Sequence, residues 1–263
     1  MHSEKQYIDL YRECREQICA HSAAPLNAVR DAAFEQFERQ GFPSRKVERY
    51  KYTSVDELFA PDYGVNVNRL EIPVDPYKAF RCDVPNLSTS LYFIVNDQFR
   101  AALQPKENLP EGVVVDSLAA YAQANPQFVA DHYAQLAHAD EDGITALNTM
   151  LAQDGLLVYV KRGVKVDRTI QVINILRSDV PLMVNRRVLI VMEEGAEAKL
   201  LFCDHAADDR EFLATQVIEA YVGRNASLDL YCMEETHYKN TRVSNVYIEQ
   251  QADSRVNHNV ITL

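Results

Sequence analysis

Along the first 155 residues, apolar positions recur at helical spacing. Residues 4–20 place Tyr7, Leu10, Tyr11, Cys14 and Ile18 three or four apart, one stripe on a helix. A second helix is expected over 26–40, with Leu26, Val29, Ala33, Phe34 and Phe37 on one face; Gly41 stops it and Pro43 lies just beyond. Ser54 and Glu57 have the spacing of a capping box and open a short helix that closes at Pro61-Asp62. Residues 91–95 then read as a strand that turns at Asn96-Asp97 and returns over 99–103. Ser117, Asn125 and Asp142-Gly143 punctuate three further helices, over 118–124, 126–138 and 144–153. Asp154-Gly155 ends this half.

From Leu156 onward the pattern changes to short strands rich in Val, Ile and Leu, separated by turns. A 28-residue shift aligns Ile190 with Ile218 and Val246, and Leu200 with Leu228 and Val256. The same shift puts Gly195 on Gly223 and Ala198 on Ala226 and Ser254, while positions between the apolar ones are polar or mixed. Such a period predicts a solenoid in which each coil buries its apolar side against its neighbours. An antiparallel meander of similar hairpins shares the period, but the connections lack Asn-Gly or any comparable two-residue hairpin signal. The expected architecture is therefore a helical region over 1–155, with a small strand pair, followed by a β-helix over 156–263. A third unit begun at Ser244 extends past Leu263, so the β-helix is expected to be incomplete at its carboxy-terminal end.

The 263 residues are 47% hydrophobic and 25% charged, which excludes wholesale disorder. With 27 Lys and Arg against 38 Asp and Glu, the net charge of −11 argues against a nucleic-acid binder. Apolar runs such as 156–160 and 188–192 fall far short of the roughly 18 residues of a membrane span. The residues behind Met1 form no signal-peptide core, so a cytoplasmic protein is expected. Cys14, Cys19, Cys82, Cys203 and Cys232 are odd in number and form no Cys-x-x-Cys, so free thiols are expected.

Candidate chemistry is sparse. No phosphate-binding glycine loop, nucleophile elbow or His-Glu-x-x-His motif is present. Asp140-Glu141-Asp142-Gly143 lacks the carboxylate ladder of a calcium loop and reads as a helix start. Cys203 and His205 share one face of a strand, the beginning of a soft-metal site; Cys232 and His237 follow in the next unit, one and four residues out of register. Structural or surface roles account for all four, and no catalytic or metal-ligating residue is assigned. His258 aligns with the inward Phe202 and Leu230 and is expected at a core or end-layer position. Glu219, Glu249, Asp229 and Arg255 form an outward scatter of charge. A carbohydrate-active β-helix enzyme needs such groups convergent, and any solvated face looks the same. The basic-aromatic stretch 45–52 reads as a solvated or packed connector.

That stretch also carries a resemblance. Phe42-Pro43-Ser44-Arg45-Lys46-Val47-Glu48-Arg49-Tyr50-Lys51-Tyr52-Thr53, followed by Leu58, resembles the opening signature of the SufD family of iron–sulfur cluster assembly proteins, with Tyr50 at a position that is typically Trp. Leu109-Pro110-Glu111-Gly112-Val113 is similar too, as are Ala146-Leu147-Asn148 through Gly155 and Gly163, and Arg186-Arg187-Val188-Leu189-Ile190-Val191 leading to Gly195-Ala196. The resemblance implies an amino-terminal helical region, a right-handed parallel β-helix and a carboxy-terminal helical domain. It further implies a non-catalytic scaffold that pairs with a SufB-like paralogue through the β-helix and docks a SufC-like ATPase through the terminal domain. A homodimer is the other assembly in view. An iron–sulfur cluster is then held transiently in the complex, with no cofactor bound tightly. The family's functionally implicated cysteine and histidine positions lie beyond the region matched here, so no residue of this chain receives that role. The rival readings are the carbohydrate-active enzyme and a generic β-helical interaction module.

Overall fold

A computed structural model describes residues 3–79, 89–103, 109–236 and 238–262. Its helices are α1 (Glu4–Ala20), α2 (Ala24–Ala28), α3 (Arg30–Gln40), α4 (Val55–Phe59), α5 (Pro76–Ala79), α6 (Leu118–Ala124), α7 (Pro126–Ala130) and α8 (Gly143–Leu151). Short strands β1 (Gly64–Val65), β2 (Thr89–Val95), β3 (Gln98–Phe99) and β4 (Val113–Ser117) lie among them. Eight longer strands follow: β5 (Leu156–Val160), β6 (Thr169–Leu176), β7 (Leu182–Met192), β8 (Glu197–Ala206), β9 (Phe212–Val222), β10 (Ser227–Glu235), β11 (Asn240–Gln250) and β12 (Arg255–Thr262).

These eight strands alternate between two sheets. β5, β7, β9 and β11 pair in parallel in the first, and β6, β8, β10 and β12 pair in parallel in the second. Each odd strand and the even strand after it form one coil, so the chain winds four coils of a parallel β-solenoid, as the internal repeat predicts. The meander is excluded, because neighbours in each sheet run parallel and belong to different coils.

The register differs from a uniform 28-residue shift. Val246 does pair with Ile218, and Val256 with Leu228, at that spacing. Between the second and third coils the shift is 30: Val188 pairs with Ile218 and Leu200 with Leu230. Between β5 and β7 it is 32, Leu156 pairing with Val188. His258 thus stands beside Leu230 and, one coil further, Leu200 rather than Phe202. Gly195 aligns with Asn225, not Gly223, and the turn column Gly163, Gly195, Asn225, Asp253 has φ of 71°, 70°, 57° and 60°. Amide N–H groups of the first three donate to Glu194, Arg224 and Ala252 carbonyls in the next coil, at 2.9, 2.8 and 3.1 Å.

Even-numbered side chains of the coils face inward. Leu156, Val158, Val172, Val188, Ile190, Leu200, Phe202, Ile218 and Leu230 form one buried core between the sheets. Odd-numbered side chains of the first sheet face outward beneath the helices. Leu157, Leu189 and Val191 pack on Leu26, Leu118, Ala122, Val129 and Tyr133. Met183 and Leu213 pack with Tyr7, Phe37, Phe59, Leu147 and Met150. Both sheets also take strands from the amino-terminal half: β2 pairs in parallel with β6, and β4 antiparallel with β5.

Several local expectations are corrected. The helix expected over 26–40 is two helices meeting at Val29, with Pro25 in the first turn of α2. Arg30, wholly buried, sits at this break and donates to the Met150 and Ala152 carbonyls at the end of α8, at 2.8 and 2.9 Å. Ser54 makes no side-chain cap, so the capping box does not form although α4 does. The return strand is limited to β3, and Ala101–Leu103 is a 3-10 turn. The helix expected over 126–138 stops at Ala130, because the amides of Ala134, Leu136 and Ala137 donate to the Glu219 carboxylate instead of to preceding carbonyls.

Candidate functional site

The alternation of the second sheet decides where its thiols and imidazoles go. Cys203 and His205, two apart on β8, do share the outward face. Cys203 pairs across to Ile173 and Met233 and is buried among Phe93, Ile173, Ile175 and Leu201. Gln171 Nε2 lies 3.4 Å from its sulfur. Cys232 has the opposite parity and lies in the inner core beside Phe202 and Val260. The second sheet therefore separates the two thiols. His237 and Cys82 lie outside the described residues. Among the described residues no group of three or more His, Cys, Asp or Glu side chains is placed to hold a metal ion.

Burial pushes the Cys232 thiol above its ordinary value, so it stays protonated at neutral pH and is a poor ligand or nucleophile. Burial also lowers the His205 imidazole, against the pull of Glu235 and Asp204, and keeps the ring neutral. His205 borders a groove of about 630 Å³ on the outer side of the second sheet, lined also by Lys78, Arg177, Asp208 and Glu235.

Inside the coils, strand parity places charges where apolar residues are the rule. Arg186, on β7, donates through Nη1 to Asp204 Oδ1 at 2.5 Å and through Nε to the Asn96 carbonyl at 3.0 Å. Arg242, on β11, donates to Asp204 Oδ2 at 2.7 Å and to Glu234 Oε1 at 2.5 Å. This seam crosses from coil two to coil four. It opens on a cavity of about 240 Å³ lined by Cys232, Glu234, Arg242, Ser244 and His258. Each buried charge has its counter-charge in hydrogen-bond contact, the condition under which ions are tolerated in a protein interior.

A second pair lies on the outer face of the first sheet. Arg187 Nη2 donates to Glu219 Oε2 at 2.6 Å, and neither side chain is exposed. The Arg187 guanidinium also stacks 4.6 Å from the centre of the Tyr133 ring. Glu219 is outward, as its parity predicts, but covered by the loop after α7 rather than solvated. Burial opposes its charge, yet Arg187 and three amide donors outweigh it and hold the carboxyl below the usual range.

The signature stretch is fixed from below. Tyr50 is buried and its hydroxyl donates to Asp142 Oδ2 at 2.8 Å; Arg49 approaches the same oxygen at 3.4 Å. Asp142 Oδ1 caps α8 by accepting from the Ile144 and Thr145 amides and takes a further bond from Asn245 of β11. The acidic run at 140–143 is thus a helix start. Arg45, Lys46, Lys51 and Tyr52 remain exposed above it.

Comparison with known families gives two contiguous matches. Residues 1–172 match the SufBD protein N-terminal region, and residues 174–263 match the SufBD core domain of the SUF system for FeS cluster assembly. The chain belongs to the SufBD family. These SufBD matches treat SufB and SufD together, and the join at 172–174 falls inside β6. The chain is also similar to Protein ABCI7, chloroplastic, of Arabidopsis thaliana, 23% identical over 243 residues. That alignment takes in 89% of this chain and 49% of the relative, so the chain spans about half the length of the curated relative it matches. No helix among the described residues of this SufBD chain is long and apolar enough to cross a membrane.

The internal seam and the Arg187–Glu219 pair escaped the sequence reading. A signal for the seam existed: Arg186, Asp204, Glu234 and Arg242 all occupy inward positions of strands, where a charge demands a partner.

Proposed function

We propose that this chain is a SufD-type scaffold subunit of iron–sulfur cluster assembly, acting in the cytoplasm with a SufB-like paralogue and a SufC-like ATPase. In this reading it performs no catalysis of its own. It contributes a rigid β-solenoid to a complex in which a cluster is built and passed on, and it holds that cluster only transiently. The observation that carries the reading is the pair of family matches that together run the length of a two-sheet parallel solenoid. The withdrawal of both described solenoid thiols supports it, since a residue meant to hold iron must present a thiolate.

The test is anaerobic. The protein is co-expressed with SufB-like and SufC-like proteins, and the purified complex is reconstituted with ferrous iron and sulfide. Co-purification is expected, with the same cluster absorbance for wild type, Cys203→Ser and Cys232→Ser. Loss of cluster in either variant, with the complex still formed, makes that thiol a ligand. Failure to co-purify favours a generic interaction module, and turnover of acidic polysaccharides favours an enzyme.

A further inference from the structure

Between coils one and three the interior contains a cavity of about 10 Å³. That is close to the smallest space that holds one water. Its lining includes Asn174 of β6, Arg186 of β7 and Gln216 of β9, together with Ile94, Asp97 and Val188. The three polar side chains are 1%, 3% and 1% exposed. Each has one atom without a protein hydrogen-bond partner: Asn174 Nδ2, Arg186 Nη2 and Gln216 Oε1. A buried donor or acceptor left in that condition is costly, and interiors satisfy such groups.

We infer that this cavity is a binding site for a single internal water molecule that ties the first three coils of the solenoid together. The donor and acceptor set identifies the ligand. Two N–H donors and one carbonyl acceptor match a water that accepts twice and donates once, the usual complement of about three bonds. A metal cation is turned away by the two donors. A halide suits the donors but meets the lone pairs of Gln216 Oε1. The orientation of that amide is set independently, because Gln216 Nε2 donates to Ser244 Oγ at 3.4 Å. The charge balance points the same way: Arg186 already has Asp204 at 2.5 Å, so no second anion is needed. The water joins coil one through Asn174, coil two through Arg186 and coil three through Gln216, and spans both sheets.

The test is a high-resolution crystal structure of the protein, grown once in chloride and once in bromide. The expected result is one spherical density peak at roughly 2.7–3.2 Å from all three atoms, with no anomalous signal there in bromide. No density in the cavity overturns the proposal, and an anomalous peak replaces the water with an anion. Gln216→Leu removes the acceptor and fills part of the space, so its structure is expected to lack the peak; persistence of the peak unchanged overturns the assigned acceptor. If Gln216→Leu does not fold, the two wild-type crystals decide the matter alone.

Discussion

Glu219 occupies a position that strand alternation assigns to the outside, and it is wholly buried. Its carboxylate accepts from the amides of Ala134, Leu136 and Ala137 at 2.9–3.0 Å and from Arg187. Ala134 adopts a left-handed φ of 60° to aim these amides, so the loop is wrapped around an anion supplied by the sheet. Removing the charge strands Arg187 in the interior, where an unpaired ion costs about 3–5 kcal/mol. Glu219→Gln is therefore expected to lower unfolding free energy by about 3 kcal/mol in urea titrations at neutral pH. The acid limb follows from the same geometry. A carboxyl held below its unfolded value stabilises the fold above that value, about 4.3, and the benefit disappears as pH falls through the depressed folded value. Wild type should lose stability across that window, and Glu219→Gln should lose less. Nothing in the sequence distinguishes Glu219 from Glu249, because what covers an outward side chain comes from residues about 80 positions away.

At the level of elements, the solenoid was legible because apolar strands recur at a period near 28 residues with no two-residue hairpin signal between them. Its register was not. Every even shift lays apolar on apolar, so the 28-residue match that holds for the last coil also looks right in coils where the spacing is 30 or 32. Helix ends were misread where side chains elsewhere supplied the bonds, as Glu219 does after α7. The turns fix the register physically. Left-handed φ suits Gly and Asn and penalises branched residues. Asn225→Gly should leave the melting temperature near wild type, whereas Asn225→Val should cost about 1–2 kcal/mol. Gly223 has a different reason: a Cβ there would lie 2.8 Å from the backbone of Glu193 and Glu194 in the neighbouring coil. Gly223→Ala should cost about 1–3 kcal/mol by overpacking, visible in the same melts.

At the scale of the whole molecule, Asp142 joins the helices to the coils. Asp142 receives Tyr50 from the signature stretch, caps α8 and binds Asn245 of the fourth coil, so three remote segments meet at one carboxylate. Their stabilities are expected to be coupled. In a double-mutant cycle of Tyr50→Phe and Asn245→Ala, each single change should cost about 1 kcal/mol. The double mutant should lose less than the sum, because both bind opposite oxygens of the one Asp142 carboxylate. Strict additivity would mean that Asp142 does not transmit between the two. The exposed Arg45, Lys46 and Tyr52 and the buried Tyr50 make the stretch both solvated and packed, a connector anchored from inside.

The stacked turns also have a metric consequence. Arg162, Glu194, Arg224 and Ala252 succeed one another at equivalent places on four rungs, and the first two already touch through an ion pair at 3.6 Å. Strands in a sheet are spaced about 4.8 Å apart, so this border is a graduated scale. Spin labels at 162 and 252 would stand about 14 Å apart in backbone position, and any winding or unwinding of the scaffold under load would register there as a change in that length.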